Sequence, residues 1–216
     1  MEFIKTDFNG DQNIGLYGFA TDSYCIIGIE PNNLKKMQSI LGVPVHVCSI
    51  AEITFTGIFV AGNKNGIVVP KITEKYEIEK LKKIGINVEV IPSKETALGN
   101  LILCNDKGCA ISKLLEPYKK QIQDALKVPV EIANIYDLEI IGSAGRTTNR
   151  GCLLHREASE PEITKIEKIL GVKADIGTVS FGTPFIKAGV IVNSNGLIVS
   201  GKSTGPEIDR CFEVFK

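Results

Sequence analysis

The sequence predicts an α/β (α+β) fold built as a closed ring of five ββαβ-type repeats, and three observations predict it. Turn-then-apolar stretches recur at a nearly constant step through all 216 residues. Each is followed by a short amphipathic helix and then a further β-like run. The fifth unit lacks its last strand, while a lone strand-like segment stands at the N-terminus.

The turns come first in each unit. Tyr24, Gly66, Gly108, Gly151 and Gly196 fall at steps of 42, 42, 43 and 45, each just before an apolar run such as Ile67-Val68-Val69-Pro70. Taken alone, Gly62-Asn63-Lys64-Asn65-Gly66 could be read as a loop that cradles a phosphate. Found five times, it is architecture: a hairpin-like turn with glycine where a positive φ is convenient. It also lacks the Gly-Lys-Ser/Thr ending of a P-loop.

A second landmark keeps the same register. Gly15, Gly57, Gly99 and Gly142 lie at steps of 42, 42 and 43, and the fifth unit places Lys187 there. Each precedes an apolar run that reads as extended, as in Gly57-Ile58-Phe59-Val60-Ala61, so these glycines are expected inside strands, at bulges or close backbone approaches. In register, they imply backbones crowded around a common centre.

The helices follow. Leu34, Met37 and Leu41 draw one apolar stripe. Ile78 and Leu81, then Tyr118, Ile122 and Ala125, then Ile163, Ile166 and Leu170, and finally Ile208, Cys211 and Phe215 repeat it. Pro31, Pro117, Pro161 and Pro206 stand near the helix starts, where proline is tolerated. The charged residues between the stripes, as in Glu77-Ile78-Glu79-Lys80-Leu81, read as a solvated outer face. The closing runs of the first four units are Pro44–Cys48, Asn87–Ile91, Pro129–Ile132 and Lys173–Ile176.

The units therefore run over about 10–50, 51–93, 94–135, 136–179 and 180–216, in a single domain whose last unit is completed by the N-terminal strand 1–8. Zipping the first strand onto the last unit removes the open edge of an array. No polar capping units of the kind an open solenoid needs are visible.

Composition bounds the function. Lys+Arg and Asp+Glu both number 25, so the protein carries no broad phosphate-neutralising surface, which argues against binding free DNA or threading nucleic acid through the ring. No apolar run approaches a membrane span, and the N-terminus has no basic, then long apolar, signal pattern; a soluble cytoplasmic protein is expected. The six cysteines include no Cys-x-x-Cys pair and there are only two histidines, so neither a metal site nor a cofactor is expected.

A closed ring of five such units resembles the pentein fold, which serves guanidine-modifying enzymes and a non-enzymatic factor. The enzymes need a nucleophilic cysteine, a histidine and carboxylates that grip a guanidinium. Here Cys25, Cys109 and Cys152 share an equivalent position that Ile67 and Leu197 also fill, so it is a packing position. Cys211 lies on a helical stripe, Cys104 ends an apolar run, and Cys48 alone is ambiguous. His46 and His155 read as structural or solvated, which leaves no catalytic residue to name.

The factor matches in detail. Ile14-Gly15 leading to Tyr24-Cys25, then Gly62–Pro70, Ala97-Leu98-Gly99-Asn100, Cys104-Asn105-Asp106, Leu126–Val130, Asn149–His155, Gly177-Thr178-Val179 and Ala188–Asn193 together resemble the translation initiation factor 6 family, copy by copy along the whole chain. Members are ribosome anti-association factors. The chain ends right after helix five, without the tail of eukaryotic members, which points to the archaeal form. The resemblance implies a monomer that binds the large ribosomal subunit through ribosomal protein near the sarcin–ricin loop, with limited rRNA contact, and blocks the small subunit. The alternative is a guanidine-modifying hydrolase or transferase of the same fold. Candidate ribosome-binding residues are Asn100, beside the glycine landmark, and the hairpin-side Asn63, Asn65, Asn105, Asn149 and Asn193. Turn chemistry is the competing explanation for each.

Overall fold

β1 (Glu2–Thr6) has no strand near it in sequence to pair with. The chain then makes a 3-10 turn (Ile14–Leu16) and the hairpin β2 (Gly18–Ala20) and β3 (Cys25–Ile27). α1 (Leu34–Leu41) follows, ending on Gly42 at φ 63, and β4 (Val45–Val47) returns parallel to β3. That order repeats, and the structure, a computed structural model, describes all residues Met1–Lys216.

The second unit is α2 (Thr56–Phe59), β5 (Ala61–Asn63), β6 (Gly66–Pro70), α3 (Lys75–Lys83) and β7 (Val88–Ile91). The third is α4 (Leu98–Leu101), β8 (Ile102–Cys104), β9 (Cys109–Ile111), a 3-10 segment Lys113–Tyr118, α5 (Lys119–Leu126) and β10 (Val130–Ile132). The fourth is α6 (Ile141–Ala144), β11 (Gly145–Thr147), β12 (Gly151–His155), α7 (Glu160–Leu170) and β13 (Lys173–Gly177). The fifth is α8 (Ile186–Gly189), β14 (Val190–Val192), β15 (Gly196–Ser200) and α9 (Gly205–Phe215).

Each of the five sheets has three strands: an antiparallel hairpin with a third strand parallel to its second member. In the fifth, that third strand is β1, paired in parallel with β15 from Glu2↔Gly196 to Thr6↔Ser200. The ring is thus closed by the two ends of the chain.

The landmark glycines correct one expectation. They lie not in strands but in single helical turns ahead of them, and the reason is the crowding at the axis. A Cβ on Gly57 would stand 2.3 Å from Gly15 O, one on Gly99 2.2 Å from Gly57 O, and one on Gly142 2.4 Å from Gly99 O. Successive turns stack carbonyl onto Cα, which no side chain permits. A compact turn brings the backbone to the axis and an extended strand would not.

The core lies between units as much as within them. Ile191 and Ile198 of the fifth unit join Ile27, Met37 and Leu41 of the first in one cluster. Phe19 and Ile26 join Val69 and Leu81 of the second. Ala61 and Val68 join Ile111 and Leu126 of the third, Leu103 and Ala110 join Leu154 and Ile166 of the fourth, and Leu153 joins Leu197 and Phe215 of the fifth. No unit buries its apolar surface alone, so all five stand or fall together.

Candidate functional site

Strand direction sorts the loops onto two faces. The hairpin turns and the C-terminal ends of the long helices share one face. The short helical turns and the N-terminal ends of the long helices share the other.

The hairpin face is knitted by its own side chains. Asn63 Nδ2 donates to Asn105 O (3.1 Å) and Leu126 O (2.9 Å) of the next unit. Asn105 Nδ2 donates in the same way to Thr148 O and Leu170 O, both at 3.0 Å. Asn193 Nδ2 donates to Thr21 O and Leu41 O, both at 2.9 Å. All three asparagines are buried. Asn65, half-buried, donates to Leu126 O at 2.8 Å. Asn149 donates through Nδ2 to both Asp22 Oδ2 and Asp106 Oδ2 at 2.7 Å, while Asp22 also accepts from Ser194 N and Oγ. Nothing in the sequence singles out Asp22 and Asp106. They occupy one repeat-equivalent position with Asn149 and Ser194, beside the asparagine that the turn demands, and the ring brings these tips together.

Below those tips the axis is filled. A cavity of about 20 Å³ lies under Asp22, Asp106 and Asn149, and a neighbouring one of about 30 Å³ is lined by Arg146, Lys187, Cys104 and Thr147. Lys187, 3% exposed, stands where the other units have the stacked glycine and donates to Gly99 O. Spaces of this size hold a water or two and cannot pass a nucleic-acid strand.

The opposite face is different in character. Leu16, Ile58, Asn100, Ser143 and Ala188, each following a stacked turn residue, are half-buried around the axis. Asn100 Oδ1 is buried with no hydrogen-bond partner. Turns with positive φ at Ala51-Glu52, Tyr136-Asp137 and Ser180-Phe181 project from the same side. They expose Ile53, Tyr136 and, at 79%, Phe181. Lys71, Lys113 and Arg156 stand exposed just beyond the ends of β6, β9 and β12.

The thiols and histidines are set into packing. Burial pushes Cys25 and Cys211 up to about 12 and raises Cys48, Cys109 and Cys152, the reverse of an activated nucleophile. His155 is buried, stacked on Tyr136 at 5.4 Å and edge-on to Phe185 at 5.5 Å, and burial lowers its pKa, as it does that of the half-buried His46. No three His, Cys, Asp or Glu side chains gather to hold a metal ion, and no helix is long and apolar enough to cross a membrane.

Comparison with known proteins places this geometry. The eIF-6 family pattern matches residues 3–214. Translation initiation factor 6 of Pyrococcus abyssi is 38% identical, over 99% of this chain and 98% of that relative. The same factor of Saccharolobus islandicus is 38% identical, over 97% of each chain, and that of Methanococcus maripaludis (strain C6) is 35% identical, over 95% and 94%. These relatives are translation factors rather than guanidine-modifying enzymes, which removes the enzymatic alternative. Matched along nearly its whole length by the family pattern and by archaeal relatives, the chain belongs to the eIF-6 family and is a translation initiation factor.

Proposed function

We propose that the protein binds the large ribosomal subunit at the surface that meets the small subunit and prevents their association by occupying it. The observation that carries this reading is the whole-length family match. The ring suits such a role. A plate whose units share every core cluster is preorganised, so docking orders little and wastes little binding energy. It acts as a cytoplasmic monomer. Zero net charge suits a surface dominated by ribosomal protein near the sarcin–ricin loop, with limited rRNA contact.

The short-helix face is the docking face in this reading. It carries Asn100, with an unpaired amide oxygen, and exposed apolar tips ringed by Lys71, Lys113 and Arg156. Buried polar groups without partners and exposed aromatic residues are what an interface completes. Asn63, Asn65, Asn105, Asn149 and Asn193 serve it from behind, since their amides are engaged in stiffening the plate.

Co-sedimentation with purified large subunits, and a light-scattering assay of subunit joining, test this. Asn100→Ala is expected to weaken binding about tenfold, as truncation of the minority of interface residues that carry the binding energy does, and Lys64→Ala on the hairpin face to leave it unchanged. Joining that proceeds undisturbed at saturating factor would reject the function. The reverse ranking of the two variants would reject the face.

A further inference from the structure

The axis of the ring holds a lysine and an arginine that no carboxylate pairs. Lys187 is 3% exposed, and only one of its three ammonium donors has a protein acceptor, Gly99 O. Arg146, at the centre of β11, donates no hydrogen bond to any protein atom, and its Nε is fully enclosed. Neither belongs to any of the six ion pairs in the molecule. Both line the same cavity of about 30 Å³, whose walls include no aspartate or glutamate. The cavity's one acidic side chain, Cys104, has its S–H directed to Gly62 O at 3.1 Å.

An unpaired charge withdrawn from water is costly unless it is paired and hydrogen-bonded. Here the buried Lys187 and the half-buried Arg146 line one polar space, and each retains donors without a protein acceptor. Burial and the neighbouring Arg146 both push Lys187 well below the ordinary lysine value. A negative charge between them would relieve both effects. The carboxylates of the adjoining cavity, Asp22 and Asp106, are engaged with Asn149, Ser194 and the Lys64 amide.

We propose that the axial cavity is a binding site for a single small inorganic anion, chloride in the cell, held between the Lys187 ammonium and the Arg146 guanidinium. The space admits one or two water-sized bodies, which fits a spherical halide and excludes phosphate, sulfate and organic carboxylates. The bound ion would neutralise the place where the fifth unit departs from the glycine stack, and so fasten β11 to α8 across the axis. The test of this site is independent of the ribosome reading, because neither of its readouts involves the ribosome.

Bromide is the probe. Crystals of the full chain grown in sodium bromide should show an anomalous peak within hydrogen-bonding reach of Lys187 Nζ and the Arg146 guanidinium. In solution, replacing sodium gluconate by sodium chloride at equal ionic strength should raise the thermal midpoint, by roughly 5–10 °C at a hundredfold excess over the Kd. Sodium sulfate should give no such saturable rise, and Arg146→Met should abolish the chloride response. Should that variant fail to fold, the bromide map of the unaltered protein decides alone. Ordered waters bridging the cations to Asp22 and Asp106 in place of the anomalous peak would overturn the proposal. So would a midpoint indifferent to chloride, or a Cys104 thiolate serving as the counter-ion.

Discussion

At the scale of single residues, three glutamates decide how the long helices meet the rest of the ring. Glu77, Glu162 and Glu207 occupy one position, the third residue of α3, α7 and α9, and each closes a capping box. Each also reaches into a turn of positive φ. Glu77 accepts from Ala51 N and Glu52 N, Glu162 from Tyr136 N, and Glu207 from Phe181 N and Gly182 N. Such backbone donors hold the carboxyls of Glu162 and Glu207 below the ordinary glutamate value, against the opposing effect of burial. A carboxyl with a depressed folded pKa contributes stability that is fully present above its unfolded value, near 4.5, and is lost as pH falls through the folded one. Glu207→Gln puts an amide N–H₂ against N–H donors. It should cost about 2–3 kcal/mol at pH 7 and flatten the acid limb of a stability profile measured by denaturant titration. A variant as stable as the parent at pH 7 would mean that the carboxylate charge contributes nothing there. These residues also mark where sequence reading stops. Helical periodicity puts Glu77 on the solvated outer face, yet it is 1% exposed. The periodicity of a helix reports its apolar stripe, and what covers a charged position comes from a turn some 25 residues away. The pairs Ser159/Glu162 and Thr204/Glu207 carry the capping-box spacing, which the apolar stripes do not report, and nothing local announces their second set of partners.

At the scale of elements, the hairpins were legible and the short helical turns were not. Recurring turn residues before apolar runs located all five hairpins, and the apolar stripes located the long helices. The glycine landmark gave the crowding at the axis correctly. It gave the conformation wrongly, because four-residue helices carry too few positions for any period and their shape is imposed by the neighbouring turn. The asparagines were ambiguous for a related reason: one side chain suits both a solvent-facing contact and a turn cap, and only the ring shows where the amide goes. Their weight can be ranked. Asn105 alone supplies the side-chain donor to Leu170 O, shares Thr148 O with the Thr147 hydroxyl, and accepts at Oδ1 from Lys107 N and Gly108 N. Asn65 shares its acceptor, Leu126 O, with Asn63. Asn105→Ala should therefore destabilise by about 2–4 kcal/mol, since Leu170 O loses its side-chain donor and the Lys107 and Gly108 amides lose their acceptor, and Asn65→Ala by about 0.5–1 kcal/mol. Paired urea titrations check the ranking, and equal losses would show that the hairpin face is not braced unit to unit.

At the scale of the whole molecule, the property that matters is closure. β1 lies five residue pairs deep against β15, Phe3 sits edge-on to Phe212 at 5.4 Å, and Ile4 packs on the cluster shared by the first and fifth units. Deleting Met1–Thr6 removes a strand in which Glu2, Phe3 and Lys5 are exposed and only Ile4 and Thr6 half-buried, and a count of buried area alone would forecast a mild effect. The ring forecasts a larger one. β15 becomes an exposed edge with free backbone donors and acceptors, and the fifth and first units lose the strand that zips them. Units that share every core then unfold from an open end, as stacked repeats do, instead of as one body. The truncated chain should show a lowered and broadened thermal transition, faster amide exchange in β14, β15 and α9 than in β5 to β10, and concentration-dependent association through the bared edge. On the function proposed above, the same chain should inhibit subunit joining less below its midpoint, because a plate that opens must be reordered each time it docks. A sharp, unshifted and monomeric transition would instead show that side-chain packing between neighbouring units, and not the strand exchanged between the two ends, keeps the pentagon shut.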